Sequence, residues 1–223
     1  MFRPDMHQRK REWFRSMPEQ TEMPAHYGDL NSVQTTWREM LQSAVSERTH
    51  PFKKPVLTTI GLNGAPKARI IILRDVDFEA RSIRLHTDAR SAKISEIGRN
   101  PNVMLAFYDS THEIQIQMSG VAIVHKHDAY ADAAWRGAPP PSRRAYLAER
   151  EPGMPLSGPA SGLPADVEGK IPSEERLETG RSNFAAVQMV FEQVDWLFLS
   201  PSGNRRARFE WRADRWAGTW LAP

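Results

Sequence analysis

Six residues within a 25-residue stretch carry the clearest chemistry in this sequence: Arg69, Arg74, Thr87, Arg90, Ser91 and Lys93. All are cationic or hydroxylic. Arg69 precedes the apolar run Ile70-Ile-Ile-Leu73, so a strand there would have to tolerate a guanidinium. Thr87 to Lys93 reads as a strand end, a turn with Asp88 as N-cap, and the first turn of a helix. A helix N-terminus presents unpaired N–H groups and a partial positive charge, and Ser, Lys and Arg placed there would suit a phosphate monoester. A solvated basic turn is the alternative. Gln115 and Gln117 form a second group, able to donate and accept toward a polar heterocycle edge if they face inward; strand alternation equally allows both to face solvent.

Other constellations are weaker. His125 and His127 stand two apart on a strand and could be paired metal ligands, but nothing nearby completes a site, so no metal is expected. The tail interleaves Arg205, Arg206, Arg208, Arg212 and Arg215 with Trp196, Trp211, Trp216 and Trp220. Such interleaving fits single-stranded nucleic acid or a half-exposed strand over packed tryptophans. The zincin, P-loop, nucleophile-elbow and dinucleotide-binding motifs are all absent from the sequence.

The elements that must position these residues follow from periodicity. Val33, Trp37, Met40, Leu41, Ala44 and Val45 recur at helical spacing, with Asn31 or Ser32 as cap and Pro51 as stop. Val56–Leu62 and Ala68–Arg74 read as a hairpin closed by Asn63-Gly64, the dipeptide of a type I′ turn. Ser82–Thr87 is a third strand, Arg90–Gly98 a short helix, and Val103–Tyr108 the next strand. Ile114, Ile116 and Met118 alternate with polar residues, and after Gly120 the apolar parity switches to Val121 and Ile123, which predicts a bulge or bend. Two short helices are expected at 128–136 and 142–149. Strands follow at 184–191, 193–200, 206–211 and 216–221. Eight prolines and four glycines between Ala138 and Pro172 predict an extended loop or lid. The pattern is mainly β with flanking helices, an antiparallel barrel, in one domain over residues 31–223 behind an N-terminal arm, 1–30, with Trp13 and Phe14 as possible anchors.

The chain has 223 residues, a formal net charge of +3 and no cysteine. The near-balance of charge argues against a nucleic-acid coat, and the absence of cysteine fits a reducing, cytoplasmic setting while excluding thiolate chemistry. No apolar run is long enough for a membrane helix, and no signal-peptide core follows the charged N-terminus.

The order of these motifs resembles the pyridoxamine 5′-phosphate oxidase family, whose members are FMN-binding split-barrel homodimers. The stretches that carry the likeness are Ala68-Arg-Ile-Ile-Ile-Leu-Arg74, Leu85-His-Thr-Asp-Ala-Arg-Ser-Ala-Lys93, Asn100-Pro101, Ile114-Gln-Ile-Gln-Met-Ser-Gly120, Arg206-Ala-Arg-Phe209 and the ending Trp220-Leu-Ala-Pro223. The Thr-Asp-x-Arg-Ser-x-Lys form is most similar to the oxidase-like FMN-binding branch.

By position, the resemblance implies that Arg69, Ser91 and Lys93 hold the FMN phosphate with help from Arg90. Ile71 and Ile72 would meet the flavin through their backbone, Thr87 would bond near the phosphate or ribityl chain, and Arg74 would end the first FMN strand. Gln115, from a partner subunit, and Arg208 would reach the cofactor, with Arg206 at the substrate. The family's Ser-Arg-Lys stands here as Ser91-Ala92-Lys93, and its substrate-contacting Arg and His as Asn204 and Arg206. A tryptophan expected near the flavin aligns with Trp196 or with Leu197. The expectation is therefore a homodimeric FMN-dependent oxidoreductase with a small-molecule substrate. The alternatives are a non-catalytic flavin- or haem-binding module and a basic barrel for single-stranded nucleic acid.

Overall fold

The computed structural model describes residues 23–223, so most of the expected arm, with Trp13 and Phe14, lies outside the described residues. Tyr27, from the arm's described end, is buried in a 3-10 turn, its ring 5.2 Å from Trp196 and 5.1 Å from Phe198.

Nine antiparallel strands form one sheet: β1 Val56–Ile60, β2 Pro66–Ile70, β3 Leu73–Asp77, β4 Ser82–Asp88, β5 Asn102–Asp109, β6 Ile114–His125, β7 Phe184–Phe198, β8 Arg205–Arg212 and β9 Arg215–Leu221. The path runs β2-β1-β5-β6-β7-β4-β3, and the β8-β9 hairpin attaches to β7. The two end strands, β2 and β3, are consecutive in the chain and do not pair with each other. The barrel is thus closed by covalent chain through Ile71-Ile72 rather than by hydrogen bonds, which is what splits it.

That seam corrects the sequence reading. Ala68–Arg74 is not one strand: the β1 ladder continues one rung past Val56 and Ile70, with the Ile71 N–H donating to Pro55 O (3.0 Å), and stops there because Pro55 has no N–H to return the bond. The β1-β2 turn also differs from type I′. Only Gly64 has positive φ (80°), while Asn63 uses its side chain to accept the Ala65 N–H at 3.2 Å. Arg69 and Arg74 consequently belong to opposite ends of the sheet path.

The predicted parity switch in β6 does not occur. Residues 114, 116, 118 and 122 all face inward, and Val121 and Ile123 stay on the outer face with Gln115 and Gln117. The irregularity is on the neighbouring strand: Ser119 pairs with Gln193 and Gly120 with Phe191, so Glu192 is the extra residue. The bulge lets β7 run unbroken for 15 residues where two strands were expected, and it switches the inward set from Val187, Met189 and Phe191 to Val194, Trp196 and Phe198.

Helix α1, Leu30–Ser46, covers one end of the barrel with Val33, Trp37, Leu41 and Ala44. Its cap is Asp29, whose carboxylate accepts from the N–H and hydroxyl of Ser32, both at 2.8 Å; Ser32 is the donor, not the cap. Trp37 is fully buried, with the rings of Phe78, Phe209 and Trp216 at 6.0, 6.2 and 6.1 Å. Trp37→Ala should cost about 3–5 kcal/mol. Urea unfolding would read this as a lower midpoint at unchanged slope, and a loss below about 1 kcal/mol would mean that α1 docks without its central anchor.

The remaining helices are α2 Ala92–Arg99, α3 Ala129–Arg136, α4 Pro140–Arg143 and α5 Glu174–Glu178. The proline-rich segment contains α4 and a 3-10 turn, Arg144–Leu147, instead of a helix at 142–149, and it packs Val167 against Leu147 and Leu177. α5 has no periodic signal in the sequence. Among the described residues no helix is long and apolar enough to cross a membrane.

Candidate functional site

The site begins at the barrel seam. Arg69, opposite Leu57 in the β1-β2 ladder, sends Nη1 to Thr59 Oγ1 (2.5 Å) and Nη2 to Glu96 Oε2 (2.7 Å). Thr59 itself donates to the same Glu96 oxygen at 2.6 Å. Thr59 and Glu96 are both buried, so the guanidinium is fixed from below while its own side chain remains about a quarter exposed (24%). The sequence reading missed both supports. Glu96 was detectable in principle, since it lies three residues after Lys93 on the same helical face, beside the apolar Ile94 and Ile97.

Across from Arg69, β4 delivers Thr87 and α2 delivers Lys93. Lys93 Nζ donates to Thr87 Oγ1 (2.9 Å) and to Ser91 Oγ (3.0 Å), and the two hydroxyls lie 3.3 Å apart. Burial, and then the charge of Arg69, hold the Lys93 ammonium below its ordinary pKa; Asp88 and Glu96 oppose this. Ser91, not Asp88, occupies the N-cap position of α2. Its hydroxyl bonds back to Asp88 O (2.7 Å), and no side chain caps the first turn. Two cations, two hydroxyls and an uncapped helix start therefore converge without a carboxylate bonded to Lys93. That donor set matches the needs of a phosphate monoester, which brings acceptor oxygens and negative charge but no donors when ionised.

Arg90 is directed elsewhere. It grips Asp88 with Nε (3.0 Å) and Nη2 (2.7 Å) and donates to Ala148 O (2.9 Å), tying the turn to the proline-rich segment. Arg74 is also separate, on β3, where Nη1 reaches Ser142 Oγ at 3.3 Å. It lines a second feature, a cavity of about 520 Å³ that Ile72, Lys53, Arg84, His86 and Ser142 share. Ile71 is half-buried and Ile72 exposed, at the chain crossing between the cation cluster and this cavity. Burial, helped by Arg74 and Arg84, pushes the His86 imidazole down to about 3, so at neutral pH it is an uncharged part of the wall.

Gln115 and Gln117 fall in another place. Directly paired residues share a sheet face, and the register sets Gln115 beside Tyr108 and Leu197, and Gln117 beside Ala106 and Asp195. Arg206 continues the first row and Arg208 the second. This is the outer face, opposite the core. Leu197 lies on it, half-buried, whereas Trp196 points inward and is fully buried. Asp195, which the sequence reading did not single out, accepts from Arg206 at 2.9 Å through both carboxylate oxygens and from Arg208 at 3.5 Å. No described contact joins this outer group to the cluster at Lys93.

Of the tail's other arginines, Arg212 bonds Glu210 (2.9 Å) and Arg205 bonds backbone carbonyls. His125 bonds Asp128 through Nδ1 (2.8 Å), and among the described residues no three His, Cys, Asp or Glu side chains gather as a metal site would need.

Residues 34–126 match the family described as "Pyridoxamine 5'-phosphate oxidase, FMN-binding domain". A pyridoxine/pyridoxamine 5′-phosphate oxidase of Anaeromyxobacter dehalogenans is 30% identical over 141 residues, covering 62% of this chain and 69% of that protein. The pyridoxine/pyridoxamine 5′-phosphate oxidase 2 of Arabidopsis thaliana is 31% identical over 86 residues, and the match spans only 43% of its length. The fold is similar to that of a pyridoxamine 5′-phosphate oxidase-related, FMN-binding protein from Nostoc punctiforme, at a TM-score of 0.63 and 21% identity, covering 85% of this chain and 96% of that one. The split barrel, the matched FMN-binding stretch and the extent of the Anaeromyxobacter match together place this chain in the pyridoxamine 5′-phosphate oxidase family.

Proposed function

We propose that this protein is an FMN-dependent oxidoreductase that works as a cytoplasmic homodimer on an anionic small molecule. The observation that carries the reading is the Thr87–Ser91–Lys93 triangle at the uncapped start of α2, with Arg69 fixed beside it. In this arrangement Arg69, Thr87, Ser91 and Lys93 hold the FMN phosphate. The backbone at Ile71 and Ile72 lies along the flavin, and the neighbouring cavity with Arg74 receives the substrate. Bound FMN supplies two-electron transfer, and the protein's share is to hold it, orient the substrate and limit water.

The second half of the site comes from a partner copy. Gln115 and Arg208 face away from the phosphate cluster of their own chain, so a flavin held at Lys93 meets them only across an interface. The outer face is suited to such contact, since Ile70, Tyr108, Val121 and Ile123 are large apolar side chains exposed on it.

Pyridoxamine 5′-phosphate is expected to be a poor substrate. Of the two positions that resemble the oxidase's substrate contacts, Asn204 accepts the Ser200 N–H (3.0 Å) and Arg206 is doubly bonded to Asp195. The test is FMN titration with sedimentation, followed by anaerobic mixing of the loaded protein with pyridoxamine 5′-phosphate or a reduced nicotinamide. One flavin per chain in a dimer, bleached by some donor, is the expected result. Stoichiometric flavin that no donor reduces would favour the non-catalytic module, and absence of FMN binding would end the proposal.

A further inference from the structure

We infer that the cavity beside Ile72 takes a substrate bearing two separate anionic groups, one bound deep and one at the rim. This rests on the reading of that cavity as the substrate site.

Arg48, Lys53, Lys54, Arg74 and Arg84 line the cavity, and no Asp or Glu does. Among the described residues, only Arg84 of these has a carboxylate partner, Asp75, at 2.9 Å. Lys53 bonds the Val45 carbonyl (2.7 Å) and Arg74 the Ser142 hydroxyl (3.3 Å), neither of which cancels charge. The buried Nε of Arg74 has no partner among the described residues. Four cations around one cavity of about 520 Å³ thus have no carboxylate partner among the described residues. Burial lowers the pKa of Arg74, and burial followed by the charge of Arg74 lowers that of Lys53, so the cavity works against its own protonation when no anion is bound.

The cations stand at two depths. Lys53 and Arg74 are half-buried, beside the apolar Ala134, Ala138 and Ile72, whereas Arg48 and Lys54 are exposed at the mouth. A monoanionic head at Arg74 would leave the rim pair without a role. A ligand with a phosphate or carboxylate inside, an apolar body, and a second anionic group outside uses both. His86, neutral in the wall, adds a polar surface without adding to the charge.

The test uses the FMN-loaded protein and two probes, phenyl phosphate with one anionic group and 4-carboxyphenyl phosphate with two, titrated calorimetrically. We expect the second to bind at least about tenfold tighter, the worth of one added charge-assisted contact. The Arg48→Ala/Lys54→Ala double variant should erase that advantage and leave phenyl phosphate unchanged, while Arg74→Gln should weaken both. Flavin content reports the fold of each variant. Equal affinity of the two probes for the unaltered protein, or an equal loss of both in the rim variant, would overturn the two-anion inference while leaving the cavity as the substrate site. Failure of both probes to bind would overturn the cavity reading itself.

Discussion

Lys93→Ala should raise the FMN dissociation constant by about 10- to 100-fold, because one charge-assisted hydrogen bond is worth about 1.5–3 kcal/mol. The ammonium is poised for this: its partners among the described residues are the hydroxyls of Thr87 and Ser91, at 2.9 and 3.0 Å. A phosphate oxygen can replace or join these partners without breaking an ion pair. The protonated form is the binding form, and burial with Arg69 nearby holds the Lys93 pKa below its usual value. FMN affinity should therefore hold near neutrality and decline as the pH rises through that lowered pKa, earlier than an ordinary lysine would dictate. In Lys93→Arg the alkaline decline should vanish, since a guanidinium stays charged. Fluorescence titration of FMN across pH measures both effects. A Lys93→Ala affinity within twofold of the unaltered protein would remove Lys93 from the phosphate site.

Gly120→Ala should destabilise the fold by about 3 kcal/mol, at the upper end of ordinary overpacking. An added Cβ would sit 2.0 Å from Val190 O and 2.7 Å from Phe191 Cα. These are backbone atoms of the strand that pairs with Gly120 at the Glu192 bulge, so no flexible side chain can yield. For a chain of this size the thermal midpoint should fall by about 6–12 °C. Gly98→Ala is the matched control. It lies in α2 with nothing within 4 Å of its added methyl, and it should be neutral or gain up to about 1 kcal/mol of helix propensity. Calorimetry of the two variants separates a steric requirement at Gly120 from a general sensitivity to losing glycine. An unchanged midpoint in Gly120→Ala would show that β7 can shift there, and the inward switch from Phe191 to Val194 would then need another cause.

The sequence by itself determined whatever depends on short-range periodicity and local chemistry. Alternation gave the strands, 3.6-residue spacing gave the buried stripe Val33, Trp37, Leu41 and Ala44, and the Thr87-to-Lys93 spacing gave a strand end followed by a helix start bearing hydroxyls and a cation. The order of those pieces was enough to indicate the family. What only the tertiary structure decided involves the partner of each group, because partners come from distant segments.

Nothing local to Arg69 announces that Thr59 and buried Glu96 fix its guanidinium, or that Arg90 is spent on Asp88 and the Ala148 carbonyl. The break at Ile71-Ile72 is invisible in an unbroken apolar run, since it arises from closing the barrel, and it sends Arg69 and Arg74 to different sites. The parity of Val121 and Ile123 was misread for a related reason. Apolar residues were assigned to the core, whereas the bulge sits on β7 and these two side chains remain outside. Trp196 against Leu197 was likewise a question of face, which register alone answers. A sequence states which groups are available at each position; the register and the closure of the sheet determine which of them meet.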